Sequence, residues 1–375
     1  MANEKNIKIA IVVGARPNFM KVAPLFKELK LHKEIIPILI HTGQHSDFLM
    51  SSVFFRSLGL PTPKYTLDIK SPDATTFIGR AIEELGRIFN SEKPDMLIVV
   101  GDVNSTLCAA IAGNKCGIKV AHIEAGLRSF DRSMPEEVNR IIIDSISDFL
   151  FISEQSGIKN LCDEKIDSKK CFFVGNVMID NLLCNLPKAK KSRILSKLKV
   201  NNDFALITIH RPSNVDNREG LKSIIKMIPE ITKRYKITLI WPMHPRTKIR
   251  LKEFNLDKVV DGFDKLIITE PMDFHDLIKT MLHSKFILTD SGGIQEEAAL
   301  LKVPTITLRE NTERPSTIDC GANVLSSFTH QNFHEIVRSA IMKDRKKIKV
   351  PKYWDGKASK RIVSKIISLL NKHAK

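Results

Sequence analysis

A doubly wound α/β protein of two domains is what this sequence predicts, on three observations. Short runs rich in Ile and Val alternate with amphipathic stretches of helical period. The runs are apolar throughout rather than at every second residue, as strands buried on both faces of a parallel sheet require. The alternation is broken once, by the charged segment 187–202, and 375 residues at about 150 per domain make two domains.

Taken in order, the first half has strand candidates at 7–14, 35–43, 96–102, 118–126 and 149–153, with helix-period segments at 19–31, 77–90 and 105–116. The second half has strand candidates at 204–210, 237–244, 265–270, 285–290 and 303–308, with helices at 218–233 and 293–302. Residues 1–180 and 181–356 are therefore read as two Rossmann-like domains facing a cleft. The remaining 357–375 carry Ile362, Val363, Ile366, Ile367 and Leu370 on one helical face, which must dock somewhere.

Composition removes several classes of function. With 43% hydrophobic and 27% charged residues the chain is an ordinary globular one, neither disordered nor a disulfide-stapled scaffold. No stretch reaches the roughly 18 apolar residues of a membrane span, and the N-terminus reads as a buried first strand, so no membrane association is expected. Cys108, Cys116, Cys162, Cys171, Cys184 and Cys320 form no CxxC pair and no zinc spacing. They are expected as small core residues of a reduced, cytoplasmic protein without a metal. The net charge of +17 is scattered lysine at helical spacing, with local runs at 188–193 and 343–349. That is a solvated surface, and two Trp with three Tyr make a poor base-stacking platform, so nucleic acid is not expected as a partner.

In open α/β sheets ligands bind beyond the carboxyl ends of the strands. There the first half places Gly14-Ala15-Arg16-Pro17, Gly101-Asp102, and His122, Glu124 and Gly126. The second half places His210-Arg211, His244 and Asp290-Ser291-Gly292-Gly293. Pro17 suits the first turn of a helix, which sets Arg16 beside a positive helix end, with Lys21 one turn on. Both suit an anion, though a solvated pair in a common turn is the ordinary alternative. Ser291-Gly292-Gly293 opens another helix, where backbone N–H groups and the dipole favour a phosphate, unless the serine is a plain cap. Glu297, one turn further, could accept two ribose hydroxyls; an intrahelical pairing of Glu296 or Glu297 with Lys302 is the alternative.

There is no P-loop, and GARPNF lacks the later glycines of a dinucleotide fingerprint, so ATP and nicotinamide chemistry lose ground and no cofactor is expected. Three acids remain. Asp102 and Glu124 sit rigidly at strand ends, and Glu136 follows Pro135 at a helix start beside Glu137, where the dipole favours acids in any case. Carboxylates sharing one cavity split their pKa values into a base and an acid. His210 beside Arg211 adds a titratable group near the anion site.

Several segments, in order along nearly the whole chain, carry a resemblance: GARPNFMKVAPL (14–25), TGQH (42–45), GDVNST (101–106), HIEAGLRS (122–129), PEEVNR (135–140), HRPSNVD (210–216), HPRT (244–247), TDSGGIQEEA (289–298) and TERP (312–315). Together they resemble the non-hydrolysing UDP-N-acetylglucosamine 2-epimerases. The resemblance implies a GT-B-like architecture, with the last helix returning to the first domain. It implies inversion at C2 of UDP-N-acetylglucosamine to give UDP-N-acetylmannosamine, by elimination of UDP, an enzyme-held 2-acetamidoglucal, and re-addition. No nicotinamide or obligatory metal is implied, and a homodimer is expected. By this likeness Asp102, Glu124 and Glu136 are acid/base groups, and Glu297 binds the ribose. Arg16, Lys21, His210, Ser291, Gly292, Gly293 and Arg314 face the nucleotide and diphosphate, with His210 counted among the catalytic residues. Which acid removes the proton is left open.

The chain departs from the pattern of members activated by substrate, reading Gln44-His45-Ser46-Asp47 and Asp68-Ile69-Lys70-Ser71-Pro72 at the two relevant loops. Arg16-Pro17-Asn18 also replaces the Arg-Ala-Asp of the hydrolysing branch, so release of free sugar is not expected. Related epimerases acting on UDP-2,3-diacetamido-glucuronate share these motifs, and a GT-B glycosyltransferase would share the nucleotide half.

Overall fold

The computed structural model describes residues 6–43, 58–200, 202–328 and 331–373. The chain divides into two units, one of Met1–Asn181 with Lys352–Lys375, the other of Leu182–Pro351. The loop reading at Gln44–Asp47 lies outside the described residues.

The first unit is built on strands β1 (Ile7–Val13), β2 (Ile35–His41), β3 (Tyr65–Thr66), β4 (Met96–Val100), β5 (Lys119–Ala125), β6 (Phe149–Ile152) and β7 (Cys171–Phe173). Its helices include α1 (Arg16–Leu29), α2 (Ala74–Glu92), α3 (Asn104–Lys115), α4 (Pro135–Ile146) and α5 (Gln155–Asp163). The seven strands pair in parallel in the order β3-β2-β1-β4-β5-β6-β7. Strand β1 shows why an uninterrupted apolar run makes a strand here. Ile9, Ile11 and Val13 enter one apolar layer with Phe19, Val22 and Leu25, while Ala10 and Val12 enter the opposite layer with Phe77, Leu85 and Phe89. Both faces are buried, so no polar residue can alternate.

The second unit repeats the plan with β8 (Phe204–Thr208), β9 (Thr238–Pro242), β10 (Leu266–Thr269), β11 (Ile287–Thr289), β12 (Thr305–Leu308) and β13 (Asn323–Ser326), in the order β10-β9-β8-β11-β12-β13. Around it lie α6 (Arg218–Tyr235), α7 (Pro245–Glu253) and α8 (Gly292–Leu300) among other helices. The last helix, α9 (Ala358–His373), belongs to the first unit: Ala358, Ile362, Val363 and Ile366 are fully buried in the layer that holds α1. Asp180 caps its start by accepting from the N–H groups of Ala358 (3.1 Å) and Ser359 (2.6 Å).

Each sheet reverses its order of growth once, between β1 and β4 in the first unit and between β8 and β11 in the second. At such a switch point adjacent connections leave in opposite directions and open a crevice at the strands' carboxyl ends. The residues after β1 and β4, and after β8 and β11, are the ones the sequence reading singled out.

The cysteines depart from expectation. Cys108 and Cys320 are buried, the Cys108 thiol being pushed up to about 12 by burial, but Cys162 and Cys184 are exposed and Cys116 and Cys171 half-buried. Cys162 sits on the solvent side of α5, whose buried positions are Gly157 and Leu161. Among the described residues no helix is long and apolar enough to cross a membrane.

Candidate active site

In the first unit the turn after β1 is set by Asn18, whose Oδ1 accepts from Gly14 N (3.3 Å) and Ala15 N (3.2 Å) and whose Nδ2 donates to Val100 O (2.8 Å) at the end of β4. One buried amide thus fixes the two strand ends flanking the switch point. Arg16 opens α1, but its side chain lies outside what is described.

Lys21, expected among the anion ligands, is instead ion-paired with Glu124, and both are buried. The reason is in the backbone of β5. Its pairing with β6 slips between Ile123 and Ala125, and Glu124, the residue left over, has φ +71°. A bulge redirects the side chain it carries, and a left-handed conformation in a non-glycine residue costs of order 1–3 kcal/mol, retained where the surroundings enforce it. Glu124 is thereby turned toward the end of β4. At Gly101 (φ +70°) an added Cβ would stand 3.1 Å from Lys21 Nζ and 3.5 Å from Glu124 Oε2, so only glycine fits.

Asp102 follows. Its Oδ2 accepts from Arg140 Nε (2.9 Å) and Nη2 (2.7 Å), while Asn139 Nδ2 donates to its carbonyl (2.8 Å). Both partners are on α4, whose first turn also carries the glutamate pair. The two glutamates separate cleanly. Glu137 is buried, accepting from Ser129 N, Phe130 N and Arg140 Nη1, and so organises the loop before the helix; Glu136 is exposed.

In the second unit Asp290, fully buried after β11, accepts from the backbone N–H groups of His210 and Arg211 and from Asn214 Nδ2 (3.0 Å). Its Oδ1 also lies 3.2 Å from His210 Nδ1, and the His210 ring stacks on His244 with centroids 5.0 Å apart. Asp290 therefore orients His210 and leaves the other ring nitrogen available. Ser291 stands at the N-cap of α8, yet its hydroxyl makes no capping bond, so the plain-cap alternative fails. A Cβ at Gly292 would meet Glu313 Oε1 at 2.7 Å, whereas nothing lies within 4 Å of one at Gly293. The backbone there is open to a close-approaching anion, as a phosphate at a helix N-terminus requires.

Glu296 is paired with Arg314, Nε to Oε1 at 2.7 Å, rather than with Lys302. Gln295 Oε1 accepts from Thr312 Oγ1 (2.8 Å) and Asn323 Nδ2 (3.1 Å), which ties the Thr312–Pro315 loop and β13 to α8. Glu297 is buried without such an ion pair, and burial pushes its carboxyl up to about 8. A carboxyl so placed suits a neutral polar ligand such as a diol. Asn18, Arg140, Asp144 and Gln295 were not singled out in the sequence, and Glu137 was noted only as the neighbour of Glu136. Asn18, Glu137, Arg140 and Gln295 lie within the segments GARPNFMKVAPL, PEEVNR and TDSGGIQEEA, whereas Asp144 lies in none of the segments quoted and had no signal.

Comparison with known proteins shows the family. The sequence profile of the family described as UDP-N-acetylglucosamine 2-epimerase matches residues 27–367. A UDP-N-acetylglucosamine 2-epimerase of Methanocaldococcus jannaschii is 42% identical over 361 residues, 95% of this chain and 98% of its own. One of Methanococcus maripaludis is 40% identical over 366 residues, 95% of this chain and 97% of its own. The crystal structure of the M. jannaschii UDP-GlcNAc 2-epimerase, in complex with UDP-GlcNAc and UDP, superposes with a TM-score of 0.89 over 96% of this chain and 100% of its own, at 42% identity. With the two parallel sheets this makes the architecture GT-B-like. The chain belongs to the UDP-N-acetylglucosamine 2-epimerase family.

Proposed function

We propose that this protein interconverts UDP-N-acetylglucosamine and UDP-N-acetylmannosamine by inverting C2 of the sugar. The C2 hydrogen is barely acidic, so the C1–O bond must break as the proton leaves. A carboxylate of the first unit takes the C2 proton, the C–H pair becomes the C1=C2 bond of 2-acetamidoglucal, and UDP departs with the C1–O pair. A second carboxylic acid then delivers a proton to the other face of C2, and the UDP oxygen re-forms the bond to C1. Two acids on separate supports are the minimum for such an inversion. Asp102, held by Arg140, and Glu124, held by Lys21, meet that need, and Glu136 is the third acid of the set.

The second unit is read as the holder of UDP. Charge building on the diphosphate is stabilised by the open first turn of α8 at Ser291, Gly292 and Gly293, by Arg314, and by His210 oriented through Asp290. A fixed donor of this kind is typically worth about 3 kcal/mol. Glu297 takes the ribose diol. The observation that carries the reading is the β5 bulge: a glutamate in left-handed conformation, buried beside a lysine and a glycine at the sheet's switch point, is strain kept for a task. The test is incubation with either UDP-sugar and no added cofactor, followed by NMR. Both starting materials should converge on one mixture of the two epimers, and no interconversion at high enzyme concentration would remove the proposal.

A further inference from the structure

The fully buried imidazole of His122 makes two hydrogen bonds that the acid/base scheme does not use. Nδ1 lies 2.7 Å from Asp144 Oδ1 and Nε2 lies 2.9 Å from the carbonyl oxygen of Gly101. A carbonyl oxygen only accepts, so Nε2 carries a proton. Asp144 accepts as well, from Gly126 N (3.0 Å) and from Arg128 Nη1 (2.8 Å), which is anchored in turn by Glu164. Burial works to raise the Asp144 carboxyl, but His122 and Arg128 together hold it below its usual value. The ring is hydrogen-bonded at both ends.

Both bonds lead to a segment that presents an acid, one directly at Gly101 and the other through Asp144, which accepts from Gly126 N. Gly101 immediately precedes Asp102, and Gly126 follows the bulged Glu124 by two residues; both glycines have positive φ, +70° and +80°. Asp144 is on α4, the helix whose Arg140 grips Asp102. We propose that His122 is a positioning residue whose ring, bonded at once to Gly101 and Asp144, sets the spacing between the turn that presents Asp102 and the bulge that presents Glu124. The inference rests on the acid/base roles proposed above. It explains why a polar ring stands in mid-strand between the buried apolar residues Val120, Ala121 and Ile123.

Three variants test it. His122→Phe keeps the volume and removes both bonds. Asp144→Ala removes the anchor. Asp144→Asn rebuilds it, because the amide NH₂ can donate to Nδ1 of a neutral ring while its oxygen still accepts from Gly126 and Arg128. Displacing acids by a fraction of an ångström should lower kcat by about 100-fold in the first two, with KM and UDP affinity within about threefold of wild type. Asp144→Asn should recover most of that loss. A role in packing alone would move KM, UDP affinity and thermal midpoint along with kcat, or leave Asp144→Asn no better than Asp144→Ala; either result overturns the proposal. If His122→Phe does not fold, the two Asp144 variants decide by the same criterion. Wild-type enzyme in the same assay separates the levels: absent wild-type turnover defeats the functional reading, whereas normal wild-type turnover with undiminished kcat in His122→Phe defeats only the positioning role.

Discussion

Glu297 is the group whose energetics can be read most directly against pH. Its carboxyl stands at about 8 in the folded protein because burial disfavours the charged form, against 4.5 for the ordinary glutamate. The folded state therefore binds this proton more tightly than the unfolded state, and the contribution to stability is full below pH 4.5 and lost as pH rises to 8. At about 1.4 kcal/mol per pH unit the total loss is about 5 kcal/mol, complete above pH 8. Glu297→Gln keeps the shape and cannot ionise. Urea unfolding of both proteins between pH 5 and 9, followed by fluorescence of the buried Trp241 in the second unit with Trp354 replaced by Phe, isolates the effect. Wild type should lose stability relative to Glu297→Gln by roughly 1 kcal/mol per pH unit from pH 5 to 8 and then run parallel to it. Parallel curves across the whole range would refute the assignment of a buried, neutral carboxyl at this site.

Three further outcomes are expected. Asp102→Asn should cut turnover by about 1,000-fold or more while UDP affinity by calorimetry stays within a few-fold, since the role proposed for it is at C2 rather than at the nucleotide; undiminished turnover would take Asp102 out of the mechanism. Gly292→Ala should lower the thermal midpoint, because its methyl meets Glu313 Oε1 at 2.7 Å, whereas Gly293→Ala, with open space around it, should fold as wild type yet bind UDP more weakly. Equal thermal midpoints in the two variants would contradict that contrast. Ile366→Ala on α9 removes a fully buried side chain and should cost about 2–4 kcal/mol in the unfolding of the first unit, a cost absent if that helix were only loosely docked.

The strands were legible because burial on both faces leaves an uninterrupted apolar run, and ten such runs correspond to β1, β2, β4, β5, β6 and β8 to β12. β3, β7 and β13 were not among the strand candidates, being edge strands of two, three and four residues, the last opening on Asn323. All but the last of the ten runs were expected one or two residues too long at their carboxyl ends, taking in Gly14, His210 and Asp290 beyond the end of the ladder. Asp102, Glu124, His210 and the Ser291–Gly293 turn could be found for the same reason: polar residues that interrupt an apolar pattern at a strand end stand out. The groups that hold them did not. Glu137, Arg140 and Asp144 sit three to four residues apart on α4, a spacing indistinguishable in sequence from a solvated helix face. Nothing in HIEAG announces that the glutamate takes the left-handed conformation, because only the pairing of β5 with β6 creates the bulge. Lys21 was expected to face an anion, and its ion pair with Glu124 became visible only once α1 and the end of β5 were brought together.

The account stands on proton exchange at one carbon coupled to loss of the nucleotide. Incubation of the protein with UDP-N-acetylglucosamine in heavy water, analysed by NMR and mass spectrometry, reads it directly. Deuterium should enter C2 of both epimers as they equilibrate and no other carbon-bound position. Epimers formed with C2 still fully protiated would contradict removal and replacement of that proton by groups that exchange with solvent.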